Sequence, residues 1–194
     1  MPKIIVTTSR HTNPRVRSFV KDLARVLLNA EKLNRGKLSL HELAVEAWNK
    51  NAELVIIVGR GLRGNPGRMV FVRISDDRYF QEMILSLAGV KLIREVQGVP
   101  PPKVIDEIVA YRDDSRECVE ETALALGEVL GVPLISYSNL ADVKDLSQMA
   151  IVVEEFNNLP IINFINCIKL IPVGPIIKVK KMIRLCTDFK SMQE

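Results

Sequence analysis

The sequence predicts an α/β protein assembled from two related halves. Three observations carry this. Runs of β-branched residues alternate with stretches that are apolar at helical spacing. The order strand, helix, helix, strand, glycine-proline loop, strand occurs twice. Three consecutive prolines, Pro100, Pro101 and Pro102, stand between the two rounds and favour a stiff, extended connector. At 194 residues the chain has the length of one domain or two small halves.

The first round opens at Lys3–Thr8, KIIVTT, a β-branched run that predicts a strand. Asn13-Pro14 then supplies a capping residue followed by proline at the first helical position. Val16, Phe19, Val20, Leu23, Val26 and Leu27 recur at helical spacing, so Pro14–Leu28 is expected to bury that stripe on a sheet. Asn34-Arg35-Gly36 is a turn. Ser39 starts a second helix reaching Asn49, with Glu42 at the capping-box position. Glu53–Val58 is a strand, Gly59–Gly67 a glycine-rich loop, and Arg68–Ile74 an alternating strand. Met83–Val96 fits strand and helix equally.

The second round repeats the order. Glu107–Tyr111 predicts a strand, and Asp114–Leu130 a helix with Val119, Thr122, Ala123, Leu126 and Leu130 on one face, stopped by Gly131 and Pro133. Asp142–Glu155 is expected to be helical, Ile161–Ile168 a strand and Ile176–Ile183 a final basic strand. Spacing supports the match. Leu54 to Met69 and Ile161 to Ile176 are both 15 residues, and the loops Asn65-Pro66-Gly67 and Val173-Gly174-Pro175 then correspond.

Composition excludes several classes. With 47% hydrophobic and 26% charged residues the chain is neither disordered nor collagenous. Its apolar runs fall short of the ~20 residues a membrane span needs, so no membrane partner is expected. Met1-Pro2-Lys3 leads straight into the first strand, so no secretory leader is expected either. Cys118, Cys167 and Cys186 lack partners at zinc-ligand spacing, and only two histidines exist. No metal, cofactor or small-molecule substrate is expected, and cysteine usage fits a reducing cytoplasm.

The charge is segregated. Residues 1–75 hold 14 Lys and Arg against 5 Asp and Glu, a net of +9, whereas residues 76–194 carry −5. A basic half attracts a polyanion through phosphate contacts and counterion release. Arginine dominates it (Arg10, Arg15, Arg17, Arg35, Arg60, Arg63, Arg68 and Arg73), and guanidinium holds phosphate oxygens bidentately. Aromatics amount to only 5%, which favours backbone and shape recognition of folded RNA over base stacking.

Gly59-Arg60-Gly61-Leu62-Arg63-Gly64 is literally G-x-G-x-x-G after a strand, with Asp76 and Asp77 downstream. The dinucleotide reading needs a helix to open directly after the glycines, to hold the pyrophosphate. Asn65-Pro66-Gly67 and a second strand follow instead. The better expectation is an arginine-bearing loop whose glycines allow close approach to a ligand. Thr7, Thr8 and Ser9 with Arg10 and His11 form a second candidate phosphate loop. His41 falls in a helical first turn as a structural or solvated residue, and no nucleophile–base constellation is present.

The stretches IIVTTSRHTNPRVRSFVKDLARVL, NAEKLNRGK and LVIIVGRGLRGNPGRMVFV, with Val173-Gly174-Pro175-Ile176-Ile177-Lys178-Val179 near the end, resemble the Brix-domain family of ribosome-biogenesis proteins. The resemblance is greatest to short archaeal members of the branch containing the protein of the U3 small nucleolar ribonucleoprotein. It covers nearly the whole chain. It implies a single Brix domain over 1–194, duplicated internally into a basic half (1–99) and an acidic half (103–190), each similar to the anticodon-binding domain of class IIa aminoacyl-tRNA synthetases. It further implies a non-catalytic role in ribosomal RNA processing and assembly. The RNA-binding candidates are Arg10, Arg35, Arg60 and Arg63, flanked by Lys37 and Arg68, chosen for their clustering near loops. The expected partners are ribosomal RNA or its precursor and other ribosome-assembly proteins. The alternative is an assembly scaffold without RNA contact, its basic face holding an acidic protein.

Overall fold

The computed structural model describes residues 2–75, 78–96, 101, 103–185 and 190–192. Asp76, Asp77, Pro100, Pro102 and Cys186 lie outside the described residues. Strand β1 (Ile4–Thr8) opens the chain as expected. Helix α1 (Pro14–Val26) follows, its stripe of Val16, Phe19, Val20, Leu23 and Val26 buried. It stops two residues before the expected Leu28 because Leu27 turns extended and the chain enters a three-residue edge strand, β2 (Ala30–Lys32). So short a strand shows no alternation and carries no periodic signal. Helix α2 (Leu40–Asn49) carries the full capping box, Ser39 accepting from the Glu42 N–H and Glu42 from the Ser39 N–H.

Strands β3 (Leu54–Arg60), β4 (Pro66–Ser75) and β5 (Arg78–Lys91) form an antiparallel meander. The segment Met83–Val96 is thereby strand as far as Lys91, then a single 3-10 turn over Ile93–Glu95. The second round begins with β6 (Glu107–Arg112) and α3 (Glu117–Leu130). Gly131 ends the helix in the left-handed region, φ 67°. Strands β7 (Leu134–Tyr137), β8 (Met149–Phe156), β9 (Leu159–Asn166), β10 (Ile171–Pro172), β11 (Ile176–Arg184) and β12 (Lys190–Ser191) complete the chain.

One expectation fails here. The predicted helix over Asp142–Glu155 is a 3-10 turn at Leu140–Val143 and then strand β8. Met149, Ile151 and Val153 enter one core while Ala150 and Val152 enter another. A strand buried on both faces is apolar at every position, so its period of two vanishes from the sequence.

All strands join one sheet in the order β2-β1-β3-β4-β5-β11-β9-β8-β6-β7, with β10 beside β9 and β12 beside β5. Strand β1 lies parallel between β2 and β3, and β6 lies parallel between β7 and β8. The pairs β3–β4 and β8–β9 are antiparallel. Strand β8 thus holds in the second half the place β3 holds in the first. The 15-residue match of Leu54–Met69 to Ile161–Ile176 therefore aligned strands of different position.

Helices α1 and α3 cover the same face and share a core with Ile4, Val6, Leu54 and Ile56 from the first half and Val109, Met149 and Ile151 from the second. Phe71, Met83, Leu85, Ile177 and Val179 fill its centre. On the opposite face α2 covers Ile5, Val55, Ile57, Val72 and Ile74, and the Leu140–Val143 turn covers Ile108, Ala110 and Val152. The halves are stitched by β5 against β11. Arg73 of β4 adds a bridge, donating to Glu82 at 2.9 Å and to the Val129 carbonyl in the last turn of α3 at 2.7 Å.

Gly174, just before β11, is fixed by packing. A Cβ there would stand 2.4 Å from the Phe164 Cβ and 2.7 Å from its Cγ. Phe164 is buried in the shared core and cannot retreat. Gly174→Ala is expected to cost about 1–3 kcal/mol of stability, read as a lower urea midpoint at unchanged slope. An unchanged midpoint would show that this contact yields easily.

Candidate nucleic-acid interface

In α/β sheets ligands gather at the carboxyl ends of parallel strands, where the chain leaves the sheet. Strands β1 and β3 end side by side, Thr8 opposite Val58, and the ladder continues as the Ser9 N–H donates to the Val58 carbonyl at 2.8 Å. Beyond Ser9 come Arg10 and His11, both exposed, and then Asn13. Asn13 does two jobs. Its Oδ1 accepts the Val16 N–H at 2.9 Å, capping α1, while its Nδ2 donates to the Gly64 carbonyl at 2.8 Å. That second bond ties the start of α1 to the loop joining β3 and β4.

This loop closes on itself. The Gly61 N–H donates to the Asn65 carbonyl at 2.6 Å. Gly61 and Gly67 cross so closely that a Cβ on either would fall within 2.4–2.6 Å of the other's Cα. These glycines therefore serve the loop's own closure, which replaces the expectation that they admit a ligand backbone. Strand β4 follows at Pro66, so no helix opens behind the G-x-G-x-x-G run and its pyrophosphate-binding geometry is absent. Arg63 sits at φ +52°, outside the usual range for a non-glycine residue.

The structure sorts the arginines of the basic half. Arg15 is engaged, bidentate to Glu95 and bonded to the Val90 carbonyl at 3.0 Å. That hydrogen bonding holds the Glu95 carboxyl down at about 2. Arg73 is engaged at the seam. Arg35 is 8% exposed, and its Nε donates to the Leu38 carbonyl at 2.9 Å, bracing the turn before α2. Burial, and secondarily the charge of nearby Arg10, hold its pKa below the usual guanidinium value. Of the six sequence candidates, Arg35 is the one the structure turns inward. Arg10, Lys37, Arg60, Arg63 and Arg68 are exposed and make no ion pair among the described residues. Arg10 follows β1, Arg60 ends the neighbouring β3 and Arg63 lies in the loop after it, Lys37 lies in the loop after β2, and Arg68 stands on β4 opposite Gly59.

Exposed Arg17, unpaired among the described residues, extends this surface, and the first turn of α1 holds no acid. Its helical position drew less weight in the sequence than the loop arginines. The hydroxyls of the candidate phosphate loop are in part already used. Thr7 donates to the Leu33 carbonyl at 2.7 Å and Ser9 to the His11 carbonyl at 3.1 Å.

The matching strand ends of the second half differ in charge. Arg112 is bonded to Asp114 at 2.7 Å, Arg116 to Glu155 at 3.1 Å, and Ser138 to Asp113. Glu117 and Glu120 fill the first turn of α3. Cations there are neutralised by their own neighbours. Among the described residues no His, Cys, Asp and Glu grouping could hold a metal ion. Burial pushes the Cys167 thiol up to about 11, and His41 tilts against the Tyr79 ring at 6.1 Å. No helix of the described residues is long and apolar enough to cross a membrane.

Asn13→Ala removes a helix cap and the tie to Gly64 together. A stability loss of about 1 kcal/mol is expected from the cap, with faster amide exchange at Gly61–Asn65. Exchange unchanged in that loop would show that the tie does not hold it.

No family model matches the chain. A probable Brix domain-containing ribosomal biogenesis protein of Thermococcus kodakarensis is 30% identical over 187 residues, covering 91% of this chain and 89% of the relative. This chain belongs to the Brix-domain family. A Brix-domain relative of the same description from Pyrococcus furiosus is 32% identical over 187 residues, covering 91% of this chain and 83% of its own. Among solved structures, a probable ribosomal biogenesis protein of Aeropyrum pernix superposes with a TM-score of 0.79 at 29% identity, over 95% of this chain and all of the other. Mil, an archaeal Imp4-like protein, superposes with a TM-score of 0.65 at 19% identity over 93% of this chain and 99% of its own, a likeness of fold. The Brix-domain assignment thus spans both halves.

Proposed function

We propose that this protein serves ribosome biogenesis as a non-catalytic, cytoplasmic RNA-binding factor that grips structured precursor ribosomal RNA. Arg10, Arg60 and Arg63 contact phosphates, Lys37 and Arg68 flank them, and Arg35 positions the turn beside Arg10. One observation carries the reading. Cations at the β1 and β3 ends stand exposed and unpaired among the described residues, whereas those at the β6 and β8 ends are paired with their own acids. Exposed arginine without internal partners contributes little to stability, so its clustering on a braced loop fits an anionic ligand. The family relationship supports the biological setting.

The mirrored strand order supports an internal duplication, and we read each half as related to the anticodon-binding domain of class IIa aminoacyl-tRNA synthetases. The test is fluorescence anisotropy with a structured ribosomal RNA fragment across a salt series, with transfer RNA and a single-stranded homopolymer as controls. Tight binding to folded RNA that weakens steeply with salt is expected. No binding at low salt would overturn the reading in favour of a protein scaffold.

A further inference from the structure

Leu62 is 90% exposed, the most exposed of the large apolar side chains among the described residues. It stands at the tip of the β3–β4 loop between Arg60 and Arg63. Isolated apolar residues on a surface are ordinary; the mounting of this one is not. The Gly61 N–H is bound to the Asn65 carbonyl, and the Asn65 N–H returns to the Leu62 carbonyl at 3.1 Å. Gly61 and Gly67 cross so closely that a Cβ on either would clash with the other's backbone. Arg63 holds a left-handed backbone, and Gly64 is anchored to Asn13. Both flanks of Leu62 are therefore fixed, and its side chain remains in water instead of folding back on the sheet.

We propose that Leu62 is an apolar finger that seats against an unpaired nucleobase of the bound RNA, while Arg60 and Arg63 hold the adjoining phosphates. This rests on the RNA-binding reading above and names the kind of RNA it takes: a folded strand bearing a bulge or loop. Charge selects this occupant. The residues around Leu62 along the loop and at the neighbouring strand end are Arg60, Arg63, Arg10 and His11, with no carboxylate in either segment. A ligand that offers an apolar face within a few ångströms of anions is a nucleotide whose base has left the stack. Leucine is among the side chains that wedge at base steps, and contacts to a base face tolerate any sequence. An apolar protein patch would require a contiguous apolar surface here, and Leu62 has only polar and basic loop neighbours in sequence.

The test compares two RNA hairpins of equal length, one fully paired and one carrying a single unpaired 2-aminopurine, by anisotropy and by 2-aminopurine fluorescence. Wild-type protein is expected to favour the bulged hairpin and to change its fluorescence. Leu62→Ala is expected to bind the bulged hairpin about tenfold more weakly, the scale of one base contact, with affinity for the paired hairpin and the salt slope unchanged. Leu62→Phe is expected to restore the preference. Equal binding of both hairpins by wild type and Leu62→Ala, or an equal loss on both, would overturn the base contact while leaving RNA binding intact. Failure of wild type to bind either hairpin at low salt would overturn the underlying reading as well.

Discussion

Replacing Arg60 and Arg63 together with alanine is expected to weaken binding to folded RNA by at least tenfold at low salt and to flatten its salt dependence. Each cation that neutralises a phosphate contributes roughly 0.7–0.9 to the slope of log affinity against log salt. Losing two should therefore lower that slope by about 1.4–1.8. The loss should be similar for all folded RNAs, because phosphate contacts position the ligand without reading its sequence. Neither side chain bonds to another described residue, so the thermal midpoint should be preserved and the effect read as binding alone. An unchanged slope in the double variant would remove these arginines from the interface.

Glu107→Gln is expected to make the protein more stable at neutral and alkaline pH. Glu107 opens β6 with 2% exposure. One carboxyl oxygen accepts the Leu28 N–H at 3.2 Å, beyond the end of α1, and the other has no partner among the described residues. Burial pushes its pKa up to about 8, the Leu28 N–H offsetting part of that rise. In the unfolded chain the same carboxyl titrates near its ordinary value of ~4.3. Between these values the folded protein keeps a proton the unfolded chain has released, so stability falls as pH rises through the window and levels off above about 8. At about 1.4 kcal/mol per pH unit the window spans roughly 4–5 kcal/mol as an upper bound. Glutamine retains the shape and the acceptor without the charge. Urea midpoints at pH 5, 7 and 9 should therefore decline for wild type and stay level for Glu107→Gln. Parallel declines would show that Glu107 does not titrate across this range. Glu95 acts in the opposite sense and elsewhere, its stabilisation being lost only as pH falls from the ordinary carboxylate range towards about 2.

Much of the candidate site was legible because its signals are local. Asn13-Pro14 announced a capped helix, Ser39 with Glu42 announced another, and glycines flanking two arginines announced an arginine-bearing loop between two strands. Long-range contacts were not legible. Arg35 and Arg60 are both arginines beside glycine, yet one is buried against the Leu38 carbonyl and the other exposed. Arg15 became structural only when β5 and the turn after it brought Val90 and Glu95 to it from 75 and 80 residues away. Leu62 was visible within the loop, but nothing local distinguishes a leucine that folds inward from one held out.

The sequence by itself determined the α/β class, all three helices with the Asn13 and Ser39 caps and the Gly131 stop, the segregation of charge and the family resemblance. Each rests on residue identity within a few positions, where periodicity, turn chemistry and net charge act directly. Only the tertiary structure decided that β8 is a strand, because burial on both faces erases its period. It alone decided that the two rounds merge in one sheet, with α1 and α3 sharing a core, and that β8 rather than β9 answers to β3. It also separated the arginines that hold the protein together from those left for a ligand, since an ion pair depends on which strands become neighbours.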